Sequence, residues 1–305
     1  MLVLTAQHPH AGTAIPRQYV HKAAQSEVLV TGWEALDGDA FTVTAQWPRA
    51  HSYYGAVNGR HDPLLLAETV RQTVPLLSHL GYDVPFGHRQ IWDDLNWTAD
   101  PAALTCAALP AEIEMHIQCS DVTRRGGRLA ALRMDIVLMR DGVQLGTAAT
   151  RFASQSPNVY TRLRGSYADL GQAAARCVAL APPAPPRRMG RERFQDVVLS
   201  PSATAHRFQL RMDLNHPVLF DHPVDHAPGM LLLEAARQAA HEALYPHCAL
   251  VTGMESAFHR YVEFDAPCWI ESEVVEREGD DAAVRVVATQ HGHEVFAATV
   301  TARLG

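Results

Sequence analysis

The residues best suited to chemistry form a short motif, E-x-x-R-Q, that occurs twice in the chain. At a constant offset of 166 residues, the two copies consist of Glu68, Arg71 and Gln72 and of Glu234, Arg237 and Gln238. Residues three apart on a helix lie on one face, so the Glu and the Arg of each copy can form an ion pair. A buried carboxylate is costly unless it is paired, and perturbed charged groups concentrate at functional sites. The motif therefore indicates a binding or catalytic site.

Two interpretations of the motif are open. In the first, Glu234 and Arg237 form an acid/base or substrate-orienting pair in a cleft. Glu68 and Arg71 then form a second copy, which is either functional or no longer functional. In the second, each ion pair only stabilises a duplicated fold. We expect the first, with Glu234, Arg237 and Glu68 as catalytic residues and with Arg71 and Gln238 as substrate-binding residues.

The start of the second motif-bearing helix adds a further element. Pro228, Gly229 and Met230 open this helix, where proline loses no hydrogen bond and glycine allows close backbone approach. Free N–H groups at Gly229 and Met230, with the positive end of the helix dipole, could hold a carbonyl oxygen as it gains charge. An ordinary helix start would show the same residues, so this feature alone decides nothing.

The elements that must position these residues repeat between the halves. Residues 62–81 and 228–244 are rich in Leu and Ala and predict one helix per half, buried along most of its length. Alternating apolar and polar residues predict strands on both sides of each helix, at 27–33, 40–47, 113–119, 128–140 and 143–153 in the first half and at 196–200, 205–214, 249–264, 268–277, 282–290 and 294–304 in the second. The pattern predicts an α+β fold, a tandem (double) hot-dog in which an antiparallel sheet wraps around a central helix in each half.

The boundary between the halves follows from prolines. Residues 181–188 read APPAPPRR, which excludes an α-helix and favours a semi-rigid connector. We therefore divide the chain into domains 1–170 and 193–305 with a Pro-rich linker at 171–192. The closing hairpins of the halves are predicted to turn at Asp141-Gly142 and at His291-Gly292.

Composition excludes several classes of function. The net charge of -7 is unlike that of a nucleic-acid-binding surface, and no run approaches the roughly 20 apolar residues of a membrane helix. The N-terminal ten residues lack the features of a signal peptide, and the five cysteines are scattered, so we expect a cytoplasmic protein. The basic residues are 25 Arg and one Lys, which we attribute to a GC-rich genome.

Common catalytic signatures are missing from the chain. It contains no GxSxG, P-loop, GxGxxG or HExxH motif. The histidines at 216, 222 and 226 suggest a metal site, but their spacing matches no known ligand signature. We predict neither a metal nor a cofactor.

Residues 214–240 resemble the 3-hydroxyacyl-carrier-protein dehydratases, which are hot-dog proteins. The shared pattern is P-G-x-x-x-x-E-A-x-x-Q after a His/Pro-rich loop, and it places that family's catalytic Glu on Glu234. That family's loop His falls near Phe220, two residues from His222. The displaced His argues against dehydration and leaves His222 as a candidate substrate-binding residue.

A longer resemblance covers both halves. Segments 20–33, 46–54, 62–72 and 220–239 resemble the A-factor biosynthesis (AfsA-type) family, whose members make precursors of γ-butyrolactone or furan signalling molecules. The resemblance implies transfer of a β-ketoacyl group from acyl-carrier protein to the hydroxyl of dihydroxyacetone phosphate.

The resemblance also suggests residue roles. Glu234 would act as general base, Gly229 and Met230 would contact the thioester carbonyl, and Arg237 would orient Glu234 or bind phosphate. The family segments also contain further candidates for phosphate or proton contacts, namely His21, Lys22, Arg49 and His51.

Two alternatives to this transferase remain. One is a dehydratase or thioesterase on the same fold, and the other is a non-catalytic ligand-binding protein. For each of the three, we expect the halves to form a pseudo-dimer within one chain, with the site between the helix of one half and loops of the other. The chain could also form a further homodimer.

Overall fold

The computed structural model describes residues 14–305, and the prediction about the first ten residues lies outside this range. The first half contains β1 (Val30–Ala35), β2 (Ala40–Trp47), α1 (Leu64–Leu80), β3 (Arg89–Ala99), β4 (Ala111–Arg125), β5 (Arg128–Arg140), β6 (Val143–Gln155) and α2 (Pro157–Arg164). The second half follows α3 (Leu170–Ala175) and contains β7 (Leu199–Pro201), β8 (Arg207–Leu210), α4 (Gly229–Leu244), β9 (Ala249–Phe258), β10 (Trp269–Glu278), β11 (Asp281–Gln290) and β12 (His293–Leu304).

The twelve strands form one continuous antiparallel sheet. Its order is β1-β2-β4-β5-β6-β3 in the first half, joined through β3 and β9 to β9-β12-β11-β10-β8-β7 in the second. Counted outward from the β3–β9 pair, the strands of the second half therefore follow the same order as those of the first. The duplication seen in the E-x-x-R-Q motif extends to the whole topology.

Each half wraps its sheet around one long helix, as the sequence predicts. In α1, 15 of 17 residues are buried, and α4 packs against β9, β10, β11 and β12. The alternating pattern of β2 places Phe41, Val43 and Ala45 in the core. Burial of each large apolar side chain contributes about 2 kcal/mol to stability, so each helix stabilises the core of its own half.

Both predicted hairpin turns are confirmed. Asp141 and Gly142 have φ values of 52° and 76°, and His291 and Gly292 have values of 52° and 75°. Two successive positive φ angles are the signature of the type I′ turn, which matches the twist of the flanking strands.

One strand is absent from the sequence prediction, and others are shorter than predicted. β3 was not predicted, although it joins the halves; a β-bulge between Trp92 and Asp94 breaks its alternation. The strand predicted at 249–264 ends at Phe258.

The region between the halves is partly helical. α3 lies in the predicted linker, and residues 177–185 form no helix or strand before a 3₁₀ turn at Pro186–Met189. The two domain boundaries stay predictions. Between residues 14 and 305, no helix is both long and apolar enough to span a membrane.

Candidate active site

A cavity of about 810 Å³ lies between the two halves. The first half contributes α1, β3, α2 and the segment around Lys22, and the second contributes residues 218–230, the start of α4 and residues 258–263. A second depression of about 610 Å³, lined mainly by residues of β2 to β6, contains neither copy of the E-x-x-R-Q motif. The cavity between the halves is therefore the candidate active site.

The first copy of the motif faces this cavity. Glu68 is ion-paired with Lys22, whose Nζ lies 3.0 Å away, and with Arg71, whose Nε lies 3.0 Å from both carboxylate oxygens. Burial alone would raise the pKa of Glu68, but the charges of Arg71 and Lys22 lower it to about 2. Glu68 is therefore an ionised carboxylate between two cations.

Arg71 keeps part of its guanidinium group available. Its Nη2 donates to the carbonyl of Val20, whereas its Nη1 has no acceptor among the described residues. Since the side chain of Arg71 lines the cavity and is 19% exposed, this N–H group can meet an anion there.

His222 and its neighbour Asp221 connect the halves beside this cluster. Asp221 accepts hydrogen bonds from the N–H groups of Ala23 and Ala24, at 2.6 and 3.1 Å, and so ties the Lys22 segment to the loop of the second half. His222 lies 3.4 Å from Asp221 and lines the cavity, and its role in substrate binding stays a prediction. Burial lowers the pKa of His222, which favours a neutral ring.

The second copy of the motif does not reach the cavity. Glu234 has no exposed surface, and its carboxylate lies between the guanidinium groups of Arg191 and Arg237, with N–O distances of 2.7 to 2.9 Å. Burial would raise the pKa of Glu234, but these two charges hold it well below its usual range. A substrate hydroxyl could touch this carboxylate only if Arg191 moved. This arrangement gives no support to a catalytic role of Glu234 and Arg237, which stays a prediction.

Neighbouring side chains pack closely around the Glu234 ion pairs. Arg191 also contacts Asp62 and the carbonyl of Tyr53, at 3.1 and 2.8 Å, and its guanidinium lies 4.2 Å from the centre of the Tyr53 ring. All these groups are buried. The two copies of the motif are therefore unequal: Glu68 faces a cavity, and Glu234 lies inside a packed ion-pair network.

The two glutamines have matching structural contacts. Gln72 donates to the carbonyl of Glu27 and accepts from Leu29 N–H, whereas Gln238 donates to the carbonyl of Asp196 and accepts from Val198 N–H. Each amide thus fastens its helix to an edge of the sheet. Gln238 lies away from the cavity, and its predicted substrate contact has no support in this arrangement.

Gly229 and Met230 line the cavity at the first turn of α4. A Cβ atom on Gly229 would lie 2.7 Å from the Trp92 ring, so only glycine allows this close packing. The first N–H groups of a helix have no partner within it, and those of Gly229 and Met230 have no acceptor in the described part of the chain.

Of the remaining candidates, His21 lines the cavity, with its Nε2 2.9 Å from Nε2 of His79, whereas His51 and Arg49 lie outside it. His51 accepts hydrogen bonds from the N–H groups of Tyr53 and Tyr54 through Nδ1, and its Nε2 lies 3.3 Å from Glu27, so it braces a loop. Arg49 is exposed and outside the cavity.

One set of cavity residues escaped the sequence interpretation. His226 contacts Asp225, which also accepts from Tyr160 and Arg164. The sequence offered one signal, the His run at 216, 222 and 226, but the three rings do not form a common site. His216 instead accepts from the N–H groups of Val218 and Leu219.

The twelve-stranded sheet, the two central helices and the cavity between the halves define a tandem hot-dog protein. The same fold occurs in the 12:0-ACP thioesterase from Umbellularia californica, with a TM-score of 0.55, 12% identity and coverage of 88% of this chain and 96% of that one. The predicted fold class is confirmed.

The chain belongs to the A-factor biosynthesis hotdog domain family, whose model matches residues 4–155 and 173–304. It is 44% identical over 292 residues to a 2-oxo-3-(phosphooxy)propyl 3-oxoalkanoate synthase of Streptomyces virginiae, covering 95% of this chain and 98% of the relative. A protein of the same name from Streptomyces coelicolor is 41% identical over 94% of this chain and 91% of its own length. The resemblance inferred from the sequence is confirmed.

Proposed function

We propose that this protein is an acyltransferase of the 2-oxo-3-(phosphooxy)propyl 3-oxoalkanoate synthase type. It moves a β-ketoacyl group from acyl-carrier protein to the hydroxyl of dihydroxyacetone phosphate. The product is the phosphorylated ester precursor of a γ-butyrolactone or furan signalling molecule. The observation that carries this proposal is the cavity between the halves, where paired cations and a long apolar wall meet.

The phosphate of the acceptor binds beside Lys22 and Arg71. With Glu68, these two cations leave a net positive charge, and the free Nη1 of Arg71 suits a phosphate oxygen. Glu68 holds both cations in place. Arg89, which also lines the cavity, adds positive charge to the same space.

The acyl chain occupies the apolar wall of the cavity. This wall is formed by Val74, Trp92, Val218, Met230, Leu232, Phe258 and Val295. The thioester carbonyl meets the free N–H groups at Gly229 and Met230, which stabilise the oxyanion as the carbonyl carbon becomes tetrahedral. Glycine at 229 allows the indole of Trp92 to pack against the helix start.

The acceptor hydroxyl attacks the thioester directly. Neither Ser nor Cys is among the described residues that line the cavity, so the usual nucleophiles of an acyl-enzyme intermediate are missing there. This observation favours one-step transfer over a covalent relay. The scattered cysteines and both substrates suit a cytoplasmic enzyme.

Mass spectrometry of the reaction products tests the proposal. The purified protein is incubated with β-ketoacyl thioesters of acyl-carrier protein or N-acetylcysteamine and with dihydroxyacetone phosphate. We expect a phosphorylated β-ketoester. Free β-keto acid as the main product would indicate a thioesterase, an enoyl product would indicate a dehydratase, and no consumption would favour a binding protein.

A matched pair of variants tests the phosphate site. Lys22→Met removes a cavity cation, whereas Arg188→Met removes a cation that pairs with Glu242 outside the cavity. Since a hydrogen bond to a charged group contributes about 1.5–3 kcal/mol, Lys22→Met should raise the KM for dihydroxyacetone phosphate by roughly 10- to 150-fold. An equal effect of both variants, or no effect of Lys22→Met, would contradict this placement.

A further inference from the structure

A second polar cluster of the cavity has no role in the transfer described so far. Asp225 is 5% exposed, and its Oδ1 lies 2.7 Å from Nδ1 of His226. The hydroxyl of Tyr160 lies 2.8 Å from both carboxylate oxygens, and Arg164 approaches at 3.4 Å. Three side chains, two from α2 and one from the loop before α4, therefore converge on this carboxylate.

The carboxylate fixes the orientation of the imidazole. Burial would raise the pKa of Asp225, but its hydrogen bonds with His226 and Tyr160 and the charge of Arg164 hold it well below its usual range. An ionised carboxylate only accepts, so Nδ1 of His226 donates and the lone pair lies on Nε2. Nε2 has no hydrogen-bond partner within the described chain, and the ring lines the cavity with its side chain 29% exposed.

The surroundings hold this geometry rigidly. The ring of Tyr261 meets the imidazole edge-on at 4.7 Å, and Arg164 lies 4.0 Å from the centre of the Tyr261 ring. Arg164 also forms a two-point ion pair with Glu263. The charged and titratable groups around His226 are therefore Asp225, Tyr160, Arg164, Tyr261 and Glu263, with Arg89 over the Tyr160 ring at 5.6 Å.

We propose that His226 is the general base of the acyl transfer, that Asp225 orients its ring, and that Tyr160 is a positioning residue for Asp225. This inference rests on the proposed function and adds the group that accepts the proton of the acceptor hydroxyl. His226 lies three residues before Gly229, so one short segment supplies both the base and the free N–H groups.

The reaction balances without any other reactant. Nε2 of His226 takes the hydroxyl proton as the alcohol oxygen forms a bond to the thioester carbon. The tetrahedral intermediate then collapses, the C–S bond breaks, and the imidazolium returns the proton to the leaving sulfur. The products are the ester and the free thiol of acyl-carrier protein, and His226 is regenerated.

Steady-state kinetics of His226→Gln test the base. We expect kcat to fall by about 10²- to 10⁴-fold with little change in either KM. His116→Gln is the matched control, because His116 also lies near a carboxylate, 2.9 Å from Glu114, but is half exposed on the sheet and outside the cavity. A His226→Gln enzyme within threefold of wild type would overturn the proposal.

Two further measurements separate chemistry from folding. Nitrogen-15 NMR of histidine-labelled wild type should show the proton of His226 on Nδ1, and a proton on Nε2 would overturn the proposal without any activity assay. Tyr160→Phe keeps the ring and removes one hydrogen bond to Asp225, so kcat should fall several-fold while both KM values and the fold stay unchanged. No change in kcat would remove Tyr160 from the positioning role.

The outcomes also distinguish this proposal from the proposed function. If wild type hydrolyses the thioester without making ester, the transferase is wrong, and the base is supported if His226→Gln also stops hydrolysis. If His226→Gln transfers the acyl group at the wild-type rate, the transferase stands and the base is wrong. If wild type consumes no thioester, both are wrong.

Discussion

Replacement of Glu234 by Gln tests the unequal roles of the two motif copies. The carboxylate accepts five hydrogen bonds, two each from Arg191 and Arg237 and one from Gln238. Gln keeps the shape but leaves two guanidinium groups, each with a side chain only 6% exposed, without their shared counter-charge. Arg191 retains one carboxylate partner, Asp62.

The magnitude follows from this burial. Breaking a buried ion pair by removing one partner costs about 3–5 kcal/mol. For a chain of this size, each 1 kcal/mol lowers Tm by about 2 °C, so Glu234→Gln should lower Tm by roughly 6–10 °C. The exposed pair of Arg303 and Asp281 provides the control, since Arg303→Met should change stability by less than about 1 kcal/mol.

Thermal melting by circular dichroism and turnover at low temperature should be measured on the same samples. We expect the folded Glu234→Gln protein to retain turnover, because Glu234 has no exposed surface. A Tm within 1 °C of wild type, together with lost turnover, would refute the structural role. It would instead support the catalytic role predicted from the sequence.

Three further predictions concern the cavity. Gly229→Ala should lower kcat at least tenfold and shift tryptophan emission, since the new Cβ lies 2.7 Å from Trp92, whereas Gly55→Ala, with its nearest contact at 3.7 Å, should change neither. The folded pKa of Glu68 is lowered, so its contribution to stability should be present above its unfolded pKa of 4.5 and lost as the pH falls to about 2. In urea unfolding, the free energies of unfolding of wild type and Glu68→Gln should converge over this range. A constant difference between them would disprove this prediction. Phe258→Leu should raise the relative kcat/KM for an acyl chain one methylene longer by about fourfold, measured by competition between thioesters. An unchanged preference would show that the acyl chain binds elsewhere.

The fold was predictable because its signals are local and repeated. The alternation in β2 and the Asp141-Gly142 turn depend only on neighbouring residues, and the constant offset between the motif copies shows the repeat directly. β3 was not predictable because its bulge near Asp93 shifts the side-chain alternation and places two Asp residues within a strand. The joint between the halves therefore depends on tertiary pairing with β9.

The candidate site was only partly predictable. The sequence identified both Glu68 and Glu234, but nothing near either residue says which one faces a cavity. That difference depends on Arg191, which lies 43 residues before Glu234, and on Tyr53 in the other half. The role proposed for His226 likewise depends on Tyr160, which lies 65 residues before Asp225.

The joining of both halves in one polypeptide, with their sheets paired through β3 and β9, has a consequence for stoichiometry. In a symmetric homodimer every substitution appears twice, so both copies of a site must stay the same. Within one chain, each copy can change independently, and here one became a packed ion-pair anchor while the other kept an open cavity. Calorimetric titration should therefore find one acyl-thioester bound per polypeptide.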